Sequence, residues 1–241
     1  MKVVFLGTRG EIDLRTPSHL RHSSLAVCYR RRRVMIDAGL DWLGRLRSIR
    51  PRAIVLTHAH PDHIDGLSDG APCPVFACAA TWDRMDERRF PLSRRTLEHR
   101  VPSPIEGIAF EAFPVEHSIR APAVGYRITA GRVSIFYAPD LLYIQERHEA
   151  LRKCKLYVGD GATMTRPIVR RHGNRIIGHA PVRTQLSWLA EEKVPRAIFT
   201  HCGSGIVGGE PARLSSRLEE MARHYGVVAE FPFDGMALVL R

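Results

Sequence analysis

The segment Thr57-His58-Ala59-His60-Pro61-Asp62-His63 follows directly on the apolar run Ala53-Ile54-Val55-Leu56. The run is short, rich in branched aliphatic residues and ended by a sharp polar break, which is the pattern of a buried strand. Imidazoles and a carboxylate at the end of such a strand are costly to bury unless something pairs them. A divalent metal is the fitting partner, because neutral imidazole and ionised carboxylate suit zinc, manganese or iron. Taken alone, the stretch also reads as a His-rich loop open to solvent, and residues further along the chain decide between the two.

Four more polar residues sit where apolar runs end. His117 follows Ala112-Phe113-Pro114-Val115-Glu116, and Asp140 follows Ile135-Phe136-Tyr137-Ala138-Pro139. His179 closes Ile176-Ile177-Gly178-His179, and His201 follows Ala197-Ile198-Phe199-Thr200. Side chains just past strand ends collect at one edge of a sheet, which is how ligands distant in sequence are brought together.

The rest of the chain predicts alternating strands and helices. Strands are expected at 2–6, 24–29, 33–36, 53–56, 75–77, 108–114, 124–129 and 133–137, with Gly131 as a hairpin turn. Further strands are expected at 156–158, 197–200, 227–229 and 237–240. Helices are expected at 41–47, 79–87, 183–192 and 212–225; the last two carry Leu186, Leu189, Ala190 and Leu214, Leu218, Met221 at helical spacing. Residues 100–107 and 163–175 read as surface loops, the second rich in arginine and flanked by site residues. Two such halves suggest helices packed outside two central sheets, an α/β class. At 241 residues the chain suits one domain, 1–241.

No apolar stretch approaches the roughly 20 residues that span a bilayer, and Met1–Gly7 reads as a first strand rather than a signal core. A cytoplasmic location is the default expectation, with no membrane partner. Five cysteines, odd in number and with no Cys-x-x-Cys, argue against a disulfide framework and a tetracysteine zinc site. Cys202 adjoins His201 and either lines the site or packs as a small apolar residue. The net charge is +11 and rests on arginine: Arg30 to Arg33, then Arg84, Arg88, Arg89, Arg94 and Arg95, then Arg166, Arg170, Arg171 and Arg175. Guanidinium forks suit phosphate oxygens and a positive field attracts polyanions, although a compositional preference for Arg over Lys would leave the same mark.

The ordered set His58-x-His60-x-Asp62-His63, His117, Asp140 and His201 resembles the metallo-β-lactamase superfamily, and Asp37-Ala38-Gly39 resembles its early Asp-x-Gly element. The resemblance covers nearly the whole chain. It implies an αββα four-layer sandwich with a dinuclear site at one edge of the two sheets. It assigns His58, His60 and His117 to one metal and Asp62, His63 and His201 to a second, with Asp140 bridging. Two divalent ions are implied, Zn or Mn above all, with Fe also compatible. A shared anionic oxygen and a bridging hydroxide would offset the repulsion of the two cations, and the hydroxide would be the nucleophile. Asp62 would orient it, and Asp37 would orient a ligand histidine or else cap the turn before Asp41. The flavodiiron branch carries a carboxylate where this chain has His60, so hydrolysis is favoured over oxygen reduction.

Within that superfamily the chain resembles the phosphodiesterase branch of tRNase Z and the phosphoribosyl cyclic phosphodiesterase. The features that carry this are Pro114-Val115-Glu116-His117-Ser118, Val124-Gly125-Tyr126, Asp160, His179 and Phe233-Asp234-Gly235-Met236. By this resemblance His179 would protonate the leaving alkoxide or stabilise charge at phosphorus, and Asp160 would hold its imidazolium. The interval from Asp140 to Asp160 leaves no room for a long exosite arm, and no β-CASP insertion fits. In place of a Cys-rich N-terminal loop stand Gly7-Thr8-Arg9-Gly10 and the basic stretch 15–24, which are expected to approach the site and touch phosphate.

The expected function is a dinuclear metal-dependent phosphodiesterase acting on a nucleic acid end or a nucleotide-like cyclic phosphate. A hydrolase of a small thioester, lactone or sulfate ester is the first alternative, and a non-catalytic nucleic-acid-binding module the second. Expected partners are a phosphate-containing substrate, with RNA or DNA among the candidates, and a homodimer is compatible with the chain.

Overall fold

In a computed structural model of the protein, residues 1–86, 90–173 and 175–241 are described. The first sheet takes β1 (Lys2–Gly7), β2 (Ser24–Tyr29), β3 (Arg32–Ile36), β4 (Ala53–Val55), β5 (Val75–Cys78) and β6 (Arg94–Leu97). The second takes β7 (Ser103–Ile105), β8 (Ile108–Glu116), β9 (Ala123–Ala130), β10 (Val133–Tyr137), β11 (Tyr143–Ile144) and β12 (Leu156–Asp160). A separate two-stranded hairpin of β13 (Ile168–His172) and β14 (Arg175–His179) follows. β15 (Arg196–Thr200) and β16 (Val228–Glu230) complete the second sheet, and β17 (Ala237–Val239) returns to pair with β1.

Strand alternation explains the layering. In β3 and β4, Val34, Ile36, Ala53 and Val55 face the second sheet, while Met35 and Ile54 face outward onto Trp42, Leu46, Trp82 and Met85. In β10, β12 and β15 the inward set is Ile135, Tyr137, Leu156, Val158 and Ile198. Phe136, Tyr157 and Phe199 point the other way, onto Leu151 of α4, Leu186 and Leu189 of α5 and Leu218 of α7. The helices, in chain order, are α1 (Leu46–Ile49), α2 (Pro61–Ile64), α3 (Ala79–Asp86), α4 (Arg147–Leu151), α5 (Val182–Glu191), α6 (Ser204–Val207) and α7 (Pro211–His224). Period-2 burial on both faces of both sheets requires an outer helix layer on each side. The result is the expected αββα sandwich.

Each sheet is half antiparallel and half parallel: β3 to β6 run parallel in one, and β10, β12, β15 and β16 in the other. Parallel strands end at one edge, so β4, β10, β12 and β15 deliver His58, Asp140, Asp160 and His201 to neighbouring positions. β8 is antiparallel to β9, which is antiparallel to β10, so its end brings His117 to the same edge.

Several expectations need correction. The helix expected at 41–47 is a 3-10 turn, Leu40–Trp42, and a separate α1, because Leu43 turns extended at φ −56° and ψ 130°. The stretch 100–107 holds β7, paired with β8, and 163–175 is mostly hairpin rather than loop. Edge strand β6 is rich in arginine and was not expected. Glu87, the last residue of the helix expected at 79–87, and the basic residues Arg88 and Arg89 lie outside the described residues. Among the described residues no helix is long and apolar enough to cross a membrane.

Two hydrogen bonds tie the sheets together at the metal motif. The buried Tyr126 hydroxyl on β9 donates to the Leu56 carbonyl at 2.7 Å, and Val124 N–H donates to the Thr57 carbonyl at 3.1 Å. Tyr126→Phe leaves the ring packed but the Leu56 acceptor unpaired. It is expected to cost about 1–3 kcal/mol, read as a lower urea midpoint at unchanged slope. An unshifted midpoint would show that this bond does not hold the sheets in register.

Candidate metal centre

Two short turns place the opening motif. Pro61 begins α2, and His60, just before it, is extended at φ −78° and ψ 151°, so the chain reverses between His60 and Asp62. Against this turn lies Asp37-Ala38-Gly39: Ala38 N–H donates to the His63 carbonyl at 2.7 Å, and Gly66 N–H to the Ala38 carbonyl at 2.9 Å. A Cβ on Gly39 would overlap the Asp62 carbonyl, which accounts for the glycine in that element. Asp37 and His201 both adopt left-handed backbone, at φ 61° and 56°. Such conformations are uncommon outside glycine and concentrate at functional sites.

The side chains converge in two groups that share Asp140. His58, His60, His117 and Asp140 place their ligand atoms within 4.8 Å of one another, as do Asp62, His63, Asp140 and His201. His58 Nε2 and His60 Nδ1 are 3.0 Å apart, and His117 Nε2 and His60 Nδ1 3.2 Å. Nitrogens about 2.0–2.1 Å from a tetrahedral ion lie roughly 3.3 Å from one another. Asp140 Oδ2 lies 2.8 Å from His63 Nε2 and 3.4 Å from His58 Nε2, and Asp140 Oδ1 lies 2.9 Å from His201 Nδ1. His63 Nε2, Asp140 Oδ1, His201 Nδ1 and Asp62 Oδ1 are nonetheless buried without a hydrogen bond. Close approach without hydrogen-bond geometry is what lone pairs aimed at a common point produce. The donor set therefore fits divalent metal binding.

Outer contacts fix the rings. Asp37 Oδ2 lies 2.9 Å from His63 Nδ1 and accepts from the Thr57 hydroxyl at 2.9 Å, and Thr57 Oγ1 is 3.0 Å from His58 Nδ1. Asp37 thus contacts the His63 ring directly and reaches His58 through Thr57, the placement that orienting two metal-candidate histidines would need. His117 Nδ1 faces the Gly178 carbonyl at 3.2 Å. A third group joins Asp140, Asp160, His179 and His201. His179 Nδ1 lies 2.7 Å from Asp160 Oδ2 and 3.5 Å from Asp140 Oδ1. Every residue expected at the site, including the metal candidates and Asp160 and His179, reaches this one edge.

Three contributors were not among the expected site residues. Gln185 is fully buried, takes the Asp160 N–H at 3.0 Å and gives its own amide to the Asp160 carbonyl at 2.7 Å. A polar residue on the apolar stripe Val182, Leu186 and Leu189 of α5 was the available signal. Thr57 is fixed within the motif itself. Glu11 abuts Asp62, and burial and the Asp62 charge raise its carboxyl; no pattern in the loop marks it.

The N-terminal loop approaches the site as expected, with Gly10 against the His201 ring and Glu11 against Asp62, but its basic side chains are engaged elsewhere. Arg9 is buried and pairs with Asp41 at 2.5 Å, Arg15 joins the same carboxylate at 2.9 Å, and His22 lies 3.0 Å from it. Thr8 donates to Asp234, which also takes the Leu20 and Arg21 N–H groups. These basic groups are spent on holding the loop to the strands. Cys202 packs, its thiol directed to the Phe199 carbonyl and its pKa pushed up by burial.

Ionisation differs between the groups. Burial lowers His58 well below its ordinary pKa, aided by His63 and His60; it lowers His60 to about 4, aided by His117, and it lowers His117 as well. Burial also disfavours charge on His63 and His201, but Asp62, Asp37 and Asp140 raise His63 well above its usual value. Asp140 and Asp62 raise His201 to about 10. Burial would raise Asp62 and Asp140, yet the facing imidazoles hold both well below the carboxylate range. Burial would lower His179, and Asp160 and Asp140 outweigh it and raise it.

A cation entering beside His63 and His201 must displace protons, whereas the His58, His60 and His117 group is already neutral. Between about pH 6 and 8, uptake at the Asp62 side is expected to weaken as pH falls, while uptake at the other side stays nearly flat. Calorimetry in buffers of different ionisation enthalpy reads the difference, and equal proton release at both sides would contradict it. Asp37→Asn is expected to lower metal affinity about 10–100-fold with the fold intact, since it removes the acceptor that orients His63. Unchanged affinity would assign Asp37 to structure alone.

A family model for the beta-lactamase superfamily domain matches residues 32–202. A search of curated protein sequences finds no match. Among solved structures, the metallo-beta-lactamase fold protein YhfI of Bacillus subtilis is similar over 98% of this chain and 98% of its own, at 14% identity and a TM-score of 0.75. A diphosphatase from the PhnP family is 20% identical over 100% of this chain and 98% of its own, with a TM-score of 0.73. Human tRNase Z, short form, is 16% identical over 100% of both chains, with a TM-score of 0.65. At such identities these likenesses establish the fold. The family match, which spans the strands bearing both metal-binding clusters, adds descent to that likeness, and the chain belongs to the beta-lactamase superfamily.

Proposed function

We propose that the protein is a metal-dependent phosphodiesterase that uses two divalent cations, Zn or Mn, with Fe also compatible. One would be held by His58, His60 and His117, the other by Asp62, His63 and His201, with Asp140 shared. The observation that carries the phosphorus assignment is the His179–Asp160 pair, 2.7 Å apart, beside Asp140 and outside both histidine clusters. A hydrolase needs a water-derived nucleophile on one side and a proton donor on the other, and this edge supplies groups for each. Bound there, two cations would lower the pKa of a water toward neutrality and offset phosphate charge. Asp62 would accept a hydrogen bond from that water and orient it. His179, held protonated by Asp160, would deliver a proton to the departing oxygen.

The names of two similar structures, a diphosphatase and a tRNase Z, support the same substrate chemistry. A cavity of about 410 Å³ adjoins His117 and is lined by Thr81, His99, Glu116, Ser118, Ile119 and Ile176 among others, with no Lys or Arg in its wall. Apart from Glu116 its described wall residues carry no fixed charge, so it suits a part of the substrate that bears no phosphate. A nucleic acid end or a nucleotide-like phosphodiester meets both requirements. We further propose that residues 1–241 act as one domain and work in the cytoplasm, which the unpaired state of all five cysteines supports.

The cavity, with no Lys or Arg among its described wall residues, also favours a second reading, hydrolysis of a small ester at the same site; one similar structure is an isothiocyanate hydrolase. The two readings separate at His179. Mn- or Zn-loaded protein is expected to hydrolyse bis-p-nitrophenyl phosphate, and Asp62→Ala to abolish turnover. His179→Ala is expected to lower phosphodiester turnover about 10²–10⁴-fold. If His179→Ala leaves turnover intact while thioesters or lactones are the better substrates, the small-ester reading holds. Full metal loading with no phosphodiester turnover would overturn the first reading.

A further inference from the structure

Several arginines of this chain have acidic partners: Arg9 and Arg15 with Asp41, Arg32 with Glu106, Arg100 and Arg127 with Glu111, Arg147 with Glu191 and Glu192, and Arg196 with Glu230. The β13–β14 hairpin combines arginines that lack such a partner with a place beside the His/Asp cluster. Arg170 and Arg171 are exposed on β13, and Arg166 precedes it, and among the described residues none of the three has an ion pair. The Arg175 side chain lies outside the described set.

The hairpin is rooted in the metal centre. Gly178 N–H donates to the His117 carbonyl at 2.8 Å, the Gly178 carbonyl faces His117 Nδ1, and Ala180 N–H donates to the Leu141 carbonyl at 2.8 Å. On the other side, Val182 and Arg183 N–H groups bind the Thr163 and Met164 carbonyls. Gly178, at φ 131°, passes so close to the Ile168 carbonyl that any Cβ there would overlap it. The root is therefore fixed, and the exposed strands project from it.

Register decides which arginine faces the chemistry. Ile168 pairs with His179, Val169 with Gly178, Arg170 with Ile177 and Arg171 with Ile176. Paired residues in an antiparallel ladder share a face, and the faces alternate along each strand. Ile168, Arg170, Ile177 and His179 thus lie on one side, while Val169, Arg171 and Ile176 lie on the other. Ile176 lines the cavity that Glu116 also borders, so Arg171 stands on the face nearer that cavity. Arg170 is a diagonal neighbour of His179, about 7–8 Å away backbone to backbone, with a long side chain and no carboxylate to hold it.

We propose that the hairpin is a substrate-reading arm and that Arg170 binds a second phosphate of the substrate, adjacent to the one cleaved. This rests on the phosphodiesterase reading and narrows it to substrates with at least two phosphates, whether successive phosphates of a nucleotide chain or the halves of a pyrophosphate. Arg170 is a specificity-determining residue; His179 acts on the scissile group. A planar guanidinium suits two oxygens of such a phosphate.

The test compares metal-loaded wild type, Arg170→Ala, Arg171→Ala and the remote control Arg217→Ala on four substrates. Bis-p-nitrophenyl phosphate and TpT carry one phosphate; pTpT and the dinucleoside diphosphate AppA carry two. Wild type is expected to prefer pTpT, AppA or both over TpT in kcat/KM. Arg170→Ala should collapse that ratio about ten- to hundredfold, with a smaller change for Arg171→Ala and none for Arg217→Ala. Whichever two-phosphate substrate shows the collapse identifies the source of the second phosphate. Independently, metal-free protein is titrated with fluorescein-labelled oligothymidylate at several salt concentrations. Arg170→Ala should reduce the slope of log K against log salt by about 0.7. If wild type turns over bis-p-nitrophenyl phosphate but shows no two-phosphate preference, or Arg170→Ala slows every substrate equally, the arm proposal falls and the phosphodiesterase reading stands. If no phosphodiester is cleaved, that reading fails, and an unchanged salt slope then overturns the arm as well.

Discussion

A carboxylate removed from water is stable as an anion only where cations or hydrogen-bond donors surround it, and Asp140 is buried among imidazoles on nearly every side. His63, His201, His58, His179 and His117 approach its two oxygens at 2.8, 2.9, 3.4, 3.5 and 3.9 Å. Much of the remaining architecture holds these rings in place. The parallel halves of the two sheets end at one edge and bring their termini together. Asp37 orients His63 from the first sheet, and Asp160, clamped by Gln185, orients His179 from the second. Without a cation, four ligand atoms stay buried and unpaired, a cost that metal binding would relieve.

The layers were legible because strand burial alternates on both faces. Runs such as Ala53-Ile54-Val55 and Ile135-Phe136-Tyr137 are apolar throughout, and only a sheet covered on both sides needs that. The metal-candidate residues were legible because they fall at or just beyond the ends of such runs. What escaped was set by tertiary contact. The hairpin at 168–179 looks like a loop in sequence because exposed arginines interrupt its apolar residues, and no core fixes its period. Gln185 differs from a solvent-facing glutamine only in its place on an apolar helix stripe. Arg9 and Arg15 read as free phosphate-binding groups until Asp41, remote from them in sequence, is seen to neutralise both.

That last difference reshapes the meaning of the basic composition. A net charge of +11 invites a polyanion to the whole surface, but ion pairs occupy several arginines of the sandwich, Arg9, Arg127 and Arg147 among them. Among the arginines without an acidic partner, Arg170 and Arg171 lie on a hairpin that ends in His179 and is hydrogen-bonded to the His117 backbone. On the proposed reading, charge there would order a substrate against the reacting groups, and not merely raise encounter rates.

On the proposed function, Asp140 would join two cations into one hydrolytic centre. Crystals of the Mn-loaded protein, with anomalous scattering measured at the manganese edge, test it most directly. Two anomalous peaks are expected, one among His58, His60 and His117 and the other among Asp62, His63 and His201, each within bonding distance of the Asp140 carboxylate. A single peak, or peaks that leave Asp140 without a metal contact, would contradict the account.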